Sequence, residues 1–160
     1  MAIIRPSWED TWMAMADVIG KRSPCERRQV GAVIVDPSNR IVATGYNGPP
    51  RNLGITSTTD VLATCHDHCP RNQPNANPGI GYDDCITVHA ESNALMFCDR
   101  RDREGGSIYV NSAVCFTCAK LVANSGLLRV FMRVAVEDAH RDPGGSIDIM
   151  RRADLEVIVW

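Results

Sequence analysis

Four side chains in two short segments constrain this chain more than anything else in it. His89 and Glu91 stand in Val88-His89-Ala90-Glu91, and Cys115 and Cys118 bracket Cys115-Phe116-Thr117-Cys118. Each segment falls where a helix is expected to begin. In a helix's first turn the backbone N–H groups lack intrahelical acceptors and the dipole favours negative charge, so thiolates are stabilised there. One imidazole and two thiolates make a three-ligand set for Zn²⁺ that leaves a fourth position for water, as catalytic zinc sites do. The two thiolates cancel the formal charge of the metal, yet zinc still brings the pKa of its water toward neutrality. Glu91, two residues from the histidine, is left to move protons. His89 and Glu91 would not share a face of a long helix, but in a first turn both can border one pocket. The fold must therefore bring two helix starts within bonding distance of one ion.

Each half alone says less. Cys-x-x-Cys also serves as a redox pair or as half of a structural zinc site, and a Cys₃His site completed by another of the seven cysteines stays open. The rest of the composition narrows the class. At 160 residues the chain is expected to form a single domain, 1–160, that buries about two-thirds of its unfolded surface. Net charge is −2, from 17 basic and 19 acidic residues, without the basic excess of a polynucleotide binder. The clusters Arg27-Arg28 and Arg100-Arg101-x-Arg103 are short, and a small anionic substrate suits this balance better. No apolar run approaches the ~20 residues that cross a bilayer, and the first residues lack the apolar core of a secretory signal. An odd number of cysteines fits a reducing compartment, so a cytoplasmic location without a membrane partner is expected.

Ser7 caps a first helix whose apolar stripe is Trp8, Trp12, Met15, Ala16 and Ile19, with both tryptophans expected in the core. Val30–Val35 and Ile41–Tyr46, joined through Asp36-Pro37-Ser38-Asn39, predict a hairpin of buried strands. From about 47 to 84 the chain is rich in Pro, Gly, Asn and Asp. A loop that long inside one domain is functional or is held by something other than a core. One helix is expected from His89 to the stop at Gly105-Gly106, with Ala90, Ala94, Leu95 and Cys98 on its apolar face. A strand at 108–110, a helix at 115–123, a strand at 128–136, a helix at 146–152 and a strand at 155–160 follow. That order predicts an α/β fold, a three-layer α/β/α sandwich around a mixed five-stranded sheet.

With these residues placed, the chain resembles the deoxycytidylate (dCMP) deaminase group of the zinc-dependent cytidine deaminase-like superfamily. The resemblance covers roughly residues 7–135. It rests on Cys25-x-Arg27-Arg28-x-Val30-Gly31-Ala32-Val33-Ile34-Val35, Gly45-Tyr46-Asn47-Gly48, His89-Ala90-Glu91-x-Asn93-Ala94 and Cys115-x-x-Cys118-Ala119-Lys120-Leu121. It implies hydrolytic deamination of dCMP to dUMP and ammonia by a zinc-activated hydroxide, with Glu91 as proton shuttle and His89, Cys115 and Cys118 as metal ligands. Asn47 matches a position that contacts the substrate sugar, and is equally well a turn residue in Asn-Gly. Arg27 and Arg28 are candidates for the 5′-phosphate, because guanidinium binds phosphate bidentately, or else are surface charges. The resemblance also implies a homo-oligomer, a hexamer, with dCTP and dTTP as effectors together with Mg²⁺.

Two positions depart from the group's pattern. Val114 stands where a proline is usual, and Val136 where a tyrosine is usual. Some relatives bind a second, structural zinc with one ligand at the position of Cys25. Here Cys65, His66, His68, Cys69 and Cys85 are the further candidates, the alternative being free thiols in a polar loop. Two other functions stay open. One is a different zinc deaminase, acting on a modified dCMP, CMP, a nucleoside, a free base or a tRNA base. The other is a zinc-binding regulatory module without catalysis. The charge balance argues against tRNA, and Glu91 argues against a purely structural site.

Overall fold

Alternating apolar side chains along the central strands give the sheet two buried faces, and the helices divide between them. The computed structural model describes residues 4–50, 69, 85–135 and 143–160. Its strands are β1 (Gly31–Val35), β2 (Ile41–Tyr46), β3 (Ser107–Val110), β4 (Arg129–Met132) and β5 (Glu156–Val159). Its helices are α1 (Trp8–Gly20), α2 (Ala90–Met96), α3 (Arg100–Arg103), α4 (Phe116–Ala123) and α5 (Pro143–Arg152). The sheet runs β2-β1-β3-β4-β5. β1 is antiparallel to both β2 and β3, whereas β3, β4 and β5 are mutually parallel.

On one face Ala32, Ile34, Ile108, Val110, Val130, Met132 and Val157 pack with Ala90 and Ala94 of α2, Ala119 and Val122 of α4, and Met150 of α5. On the other, Val33, Val35, Tyr109 and Phe131 pack with Trp12, Met13 and Ala16 of α1. Tyr109 and Phe131 stack at 4.4 Å between ring centroids. These are the three layers and the mixed five-stranded sheet expected from the order of elements. Among the described residues no helix is long and apolar enough to cross a membrane.

Three local expectations need correction. The helix expected from His89 to Gly105 is two helices, because α2 stops at Met96 and the chain turns through Phe97 and an extended Asp99 (ψ 142°) before α3. Arg103 makes that break stable. Its guanidinium donates to the carbonyls of Leu95 and Cys98 at the end of α2, and to the carbonyl of Ser125 at 3.0 Å. Carbonyls that lack helical partners are thereby satisfied. Cys98 is nevertheless buried, as expected. Trp8 is 54% exposed rather than in the core, stacked on Trp12 at 5.1 Å, and Met13 takes the buried place. α5 begins at Pro143, ahead of Ser146, since a proline in the first turn has no N–H to lose.

The contact that matters most for the site lies at Gly45 in β2. A Cβ there would stand 2.2 Å from the Ala90 carbonyl oxygen and 2.5 Å from the Ala94 nitrogen, so α2 rests on bare strand backbone. Asn93 Nδ2 donates to the Tyr46 carbonyl at 2.8 Å, and Gly48 and Val88 exchange backbone hydrogen bonds at 3.1 and 2.9 Å. Gly45→Ala is expected to displace α2, destabilising the protein by roughly 1–3 kcal/mol and weakening metal retention. Gly48→Ala, whose Cβ would meet nothing closer than 3.4 Å, should change stability by less than about 0.5 kcal/mol. Thermal melts with zinc analysis of both variants check the pair.

Candidate active site

The Gly48–Val88 pairing delivers the chain to the start of α2, where His89 is the N-cap with extended backbone (φ −70°, ψ 155°). Cys115 is the N-cap of α4 with the same geometry (φ −74°, ψ 162°), and its Sγ accepts the N–H of Cys118 at 3.5 Å. The two helix starts meet. His89 Nδ1 lies 3.3 Å from Cys115 Sγ and 3.4 Å from Cys118 Sγ, and the three ligand atoms all lie within 4.8 Å of one another. Tetrahedral zinc, with Zn–N near 2.0–2.1 Å and Zn–S near 2.3 Å, requires an N···S separation of about 3.6 Å. The donor set fits zinc in both chemistry and spacing. It is the one such group of three His, Cys, Asp or Glu side chains among the described residues.

Without a metal these groups divide their protons unevenly. The Cys118 thiol, hydrogen-bonded to Cys115, together with His89 pulls the Cys115 pKa down to about 4 against the effect of burial. Cys118 holds its proton, pushed up by that same pairing, by burial and by the nearby Glu91. The hydrogen bond to Cys115 raises His89. A bound divalent ion reverses this by requiring two thiolates and a neutral imidazole. Glu91 is 3% exposed. Burial lifts its pKa above the usual carboxylate range, opposed by the charge of His89.

Asn47 is buried, and both ends of its side-chain amide bond to backbone. Its Oδ1 accepts the Val30 N–H at 2.7 Å and its Nδ2 donates to the Arg28 carbonyl at 2.9 Å. The amide thus ties the end of β2 to the segment entering β1. Arg28 is half-buried and Arg27 exposed. Of the candidate ligands for a second zinc, Cys69 is buried and Cys25 and Cys85 are half-buried, while Cys65, His66 and His68 lie outside the described residues, as does Val136. Val114 packs into the core beside α4.

Two features have no counterpart in the sequence reading. Ser92 Oγ lies 3.7 Å from Cys118 Sγ. Asn111, directly after β3, accepts the Gly31 N–H at 2.9 Å and donates to Asp17 at 3.2 Å, while Arg133, directly after β4, pairs with Asp17 at 2.7 Å. That cluster joins α1, β1, β3 and β4 where the segment leading to Cys115 leaves the sheet. Its members are so far apart along the chain that no local pattern announces them.

The fold and the ligand set define a zinc-dependent deaminase. The family model described as the cytidine and deoxycytidylate deaminase zinc-binding region matches residues 6–134, and the chain belongs to that family. The deoxycytidylate deaminase of Mycobacterium phage D29 is 40% identical over 131 residues, which make up 79% of this chain and 94% of the phage protein. The deoxycytidylate deaminase of Schizosaccharomyces pombe is 37% identical over 139 residues, 85% of this chain but 40% of the yeast protein. The chain thus spans nearly all of one relative and less than half of the other. The crystal structure of dCMP deaminase from the cyanophage S-TIM5 superposes with a TM-score of 0.68 over 98% of this chain and all of that one, and at 24% identity it shows the shared fold.

The proton inventory makes a chemical prediction. In metal-stripped protein Cys115 should react with iodoacetamide as a thiolate from about pH 5 upward, one unit above its pKa. Burial raises the Cys98 thiol, so it should stay unreactive until alkaline pH. Added zinc should protect Cys115 and leave Cys98 unchanged, read by mass spectrometry of the alkylated peptides.

Proposed function

We propose that this protein hydrolyses dCMP to dUMP and ammonia, with Glu91 carrying the protons. The observation that supports this most directly is a buried carboxyl of raised pKa beside a His-Cys-Cys donor set, in a chain similar over 94% of the length of a phage deoxycytidylate deaminase. When held by His89, Cys115 and Cys118, zinc supplies the Lewis acidity that makes water nucleophilic near neutral pH. Glu91 takes a proton from the water as its oxygen bonds to C4, and gives that proton to N3. It then carries the remaining hydroxyl proton to N4, so that the C4–N4 bond breaks with ammonia as leaving group and a C4 carbonyl remains. Burial keeps bulk water from competing for these transfers.

In this reading Asn47 holds the wall next to the sugar, and its backbone hydrogen bonds fix that wall before substrate arrives. Arg28, with Arg27 next to it, meets the 5′-phosphate from the same segment. A charge-assisted hydrogen bond contributes about 1.5–3 kcal/mol, or roughly 10–100-fold in kcat/KM.

Two measurements test the reading. Ammonia release from cytosine, deoxycytidine, CMP and dCMP should favour dCMP, with deoxycytidine lower by roughly 10–100-fold in kcat/KM. Equal values for dCMP and deoxycytidine would remove the nucleotide assignment and leave deamination standing. Glu91→Gln should keep its zinc and its fold while losing about 10²–10⁴-fold in kcat. Undiminished turnover in that variant would rule out the carboxyl as proton carrier.

A further inference from the structure

The two sulfurs of the donor set do not have equivalent surroundings. Cys115, at the N-cap of α4, has the Cys118 N–H pointing at its sulfur at 3.5 Å. Cys118 lies further into the helix and is 2% exposed, so as a ligand it must carry a thiolate charge away from solvent. A buried anion needs donors. The donor that reaches it comes from the other ligand helix, where Ser92 Oγ, on α2 one residue beyond Glu91, stands 3.7 Å from Cys118 Sγ. When Cys118 is a thiolate it has no proton to give, so the serine hydroxyl must be the donor.

We propose that Ser92 is a positioning residue for the metal centre, donating its hydroxyl proton to the Cys118 thiolate and thereby drawing charge from that sulfur. The proposal rests on the reading of His89, Cys115 and Cys118 as a zinc site. A metal held by two thiolates is formally neutralised and correspondingly less electrophilic. A hydrogen bond to one thiolate leaves more positive character on the ion, and partners of this kind commonly tune both affinity and reactivity. The bond also spans the two helices that supply the ligands, so it sets the Cys118 rotamer relative to His89.

The test uses the full chain reconstituted with Co²⁺, whose thiolate-to-metal charge-transfer absorption reports on the sulfurs without any turnover. In Ser92→Ala the band should move to longer wavelength, because a sulfur without a hydrogen bond gives up an electron more easily. Zinc affinity, measured by chelator competition, should fall by about tenfold. Ser92→Thr, which keeps the hydroxyl, should restore both. An unshifted band with zinc affinity within about twofold of the parent would overturn the role of Ser92 and leave the zinc site intact. A parent protein with no charge-transfer band would overturn the zinc reading and this proposal together.

Discussion

The metal site depends on α2 lying directly on the backbone of β2. Only hydrogen occupies the position where a side chain of residue 45 would meet the Ala90 carbonyl and the Ala94 amide, and Ala90 and Ala94 keep the facing side of the helix equally thin. That closeness puts the start of α2 level with the start of α4, which the β3 exit places independently. The Gly48–Val88 bridge and the Asn93–Tyr46 hydrogen bond then hold the helix from sliding along the strand. Small residues at a helix–strand contact act here as a ruler. The groups of the candidate site are ordinary side chains, and their meeting is set by how near two backbones can come.

The electrostatics follow from the same placement. Two N-terminal helix turns converge, and each brings amide dipoles that favour negative charge. Two thiols and an imidazole placed among them do not stay neutral without a metal, since Cys115 falls to about 4 while its partner keeps the proton. Glu91 is pushed the other way by burial. The site therefore holds a group ready to bind a cation beside a group reluctant to be charged. That separation is what the proposed function needs, with one carboxyl for proton transfer and two sulfurs for ligation.

Much of this was legible in the residues themselves. His-x-Glu and Cys-x-x-Cys are short, ordered motifs whose spacing on a first turn dictates their geometry. The β-branched runs of the strands announce a sheet covered on both faces, and Ser7 was readable as a cap that accepts the Asp10 N–H. What could not be read depended on long-range partners. Nothing in the charged run after Cys98 breaks a helix before Gly105, so the turn at Phe97 was hidden; what stabilises it is the guanidinium of Arg103 reaching back to α2 and across to Ser125. Trp8 matched the helical stripe, yet it lies at the surface, stacked on Trp12. Ser92 looked like a spacer between two informative residues. Its position opposite Cys118 follows only from the docking of α2 beside α4.

The ligands also come from different halves of the sheet. His89 rides on the helix seated against the β1–β2 hairpin, whereas Cys115 and Cys118 belong to the parallel crossover from β3 to β4. A hairpin closes locally, and parallel strands must wait for their crossover helix to dock. The imidazole and the two sulfurs meet because α2 and α4 pack on the same face of the sheet. The three donor atoms therefore come within reach of one ion only in the finished fold, because separate parts of the sheet deliver the imidazole and the two sulfurs.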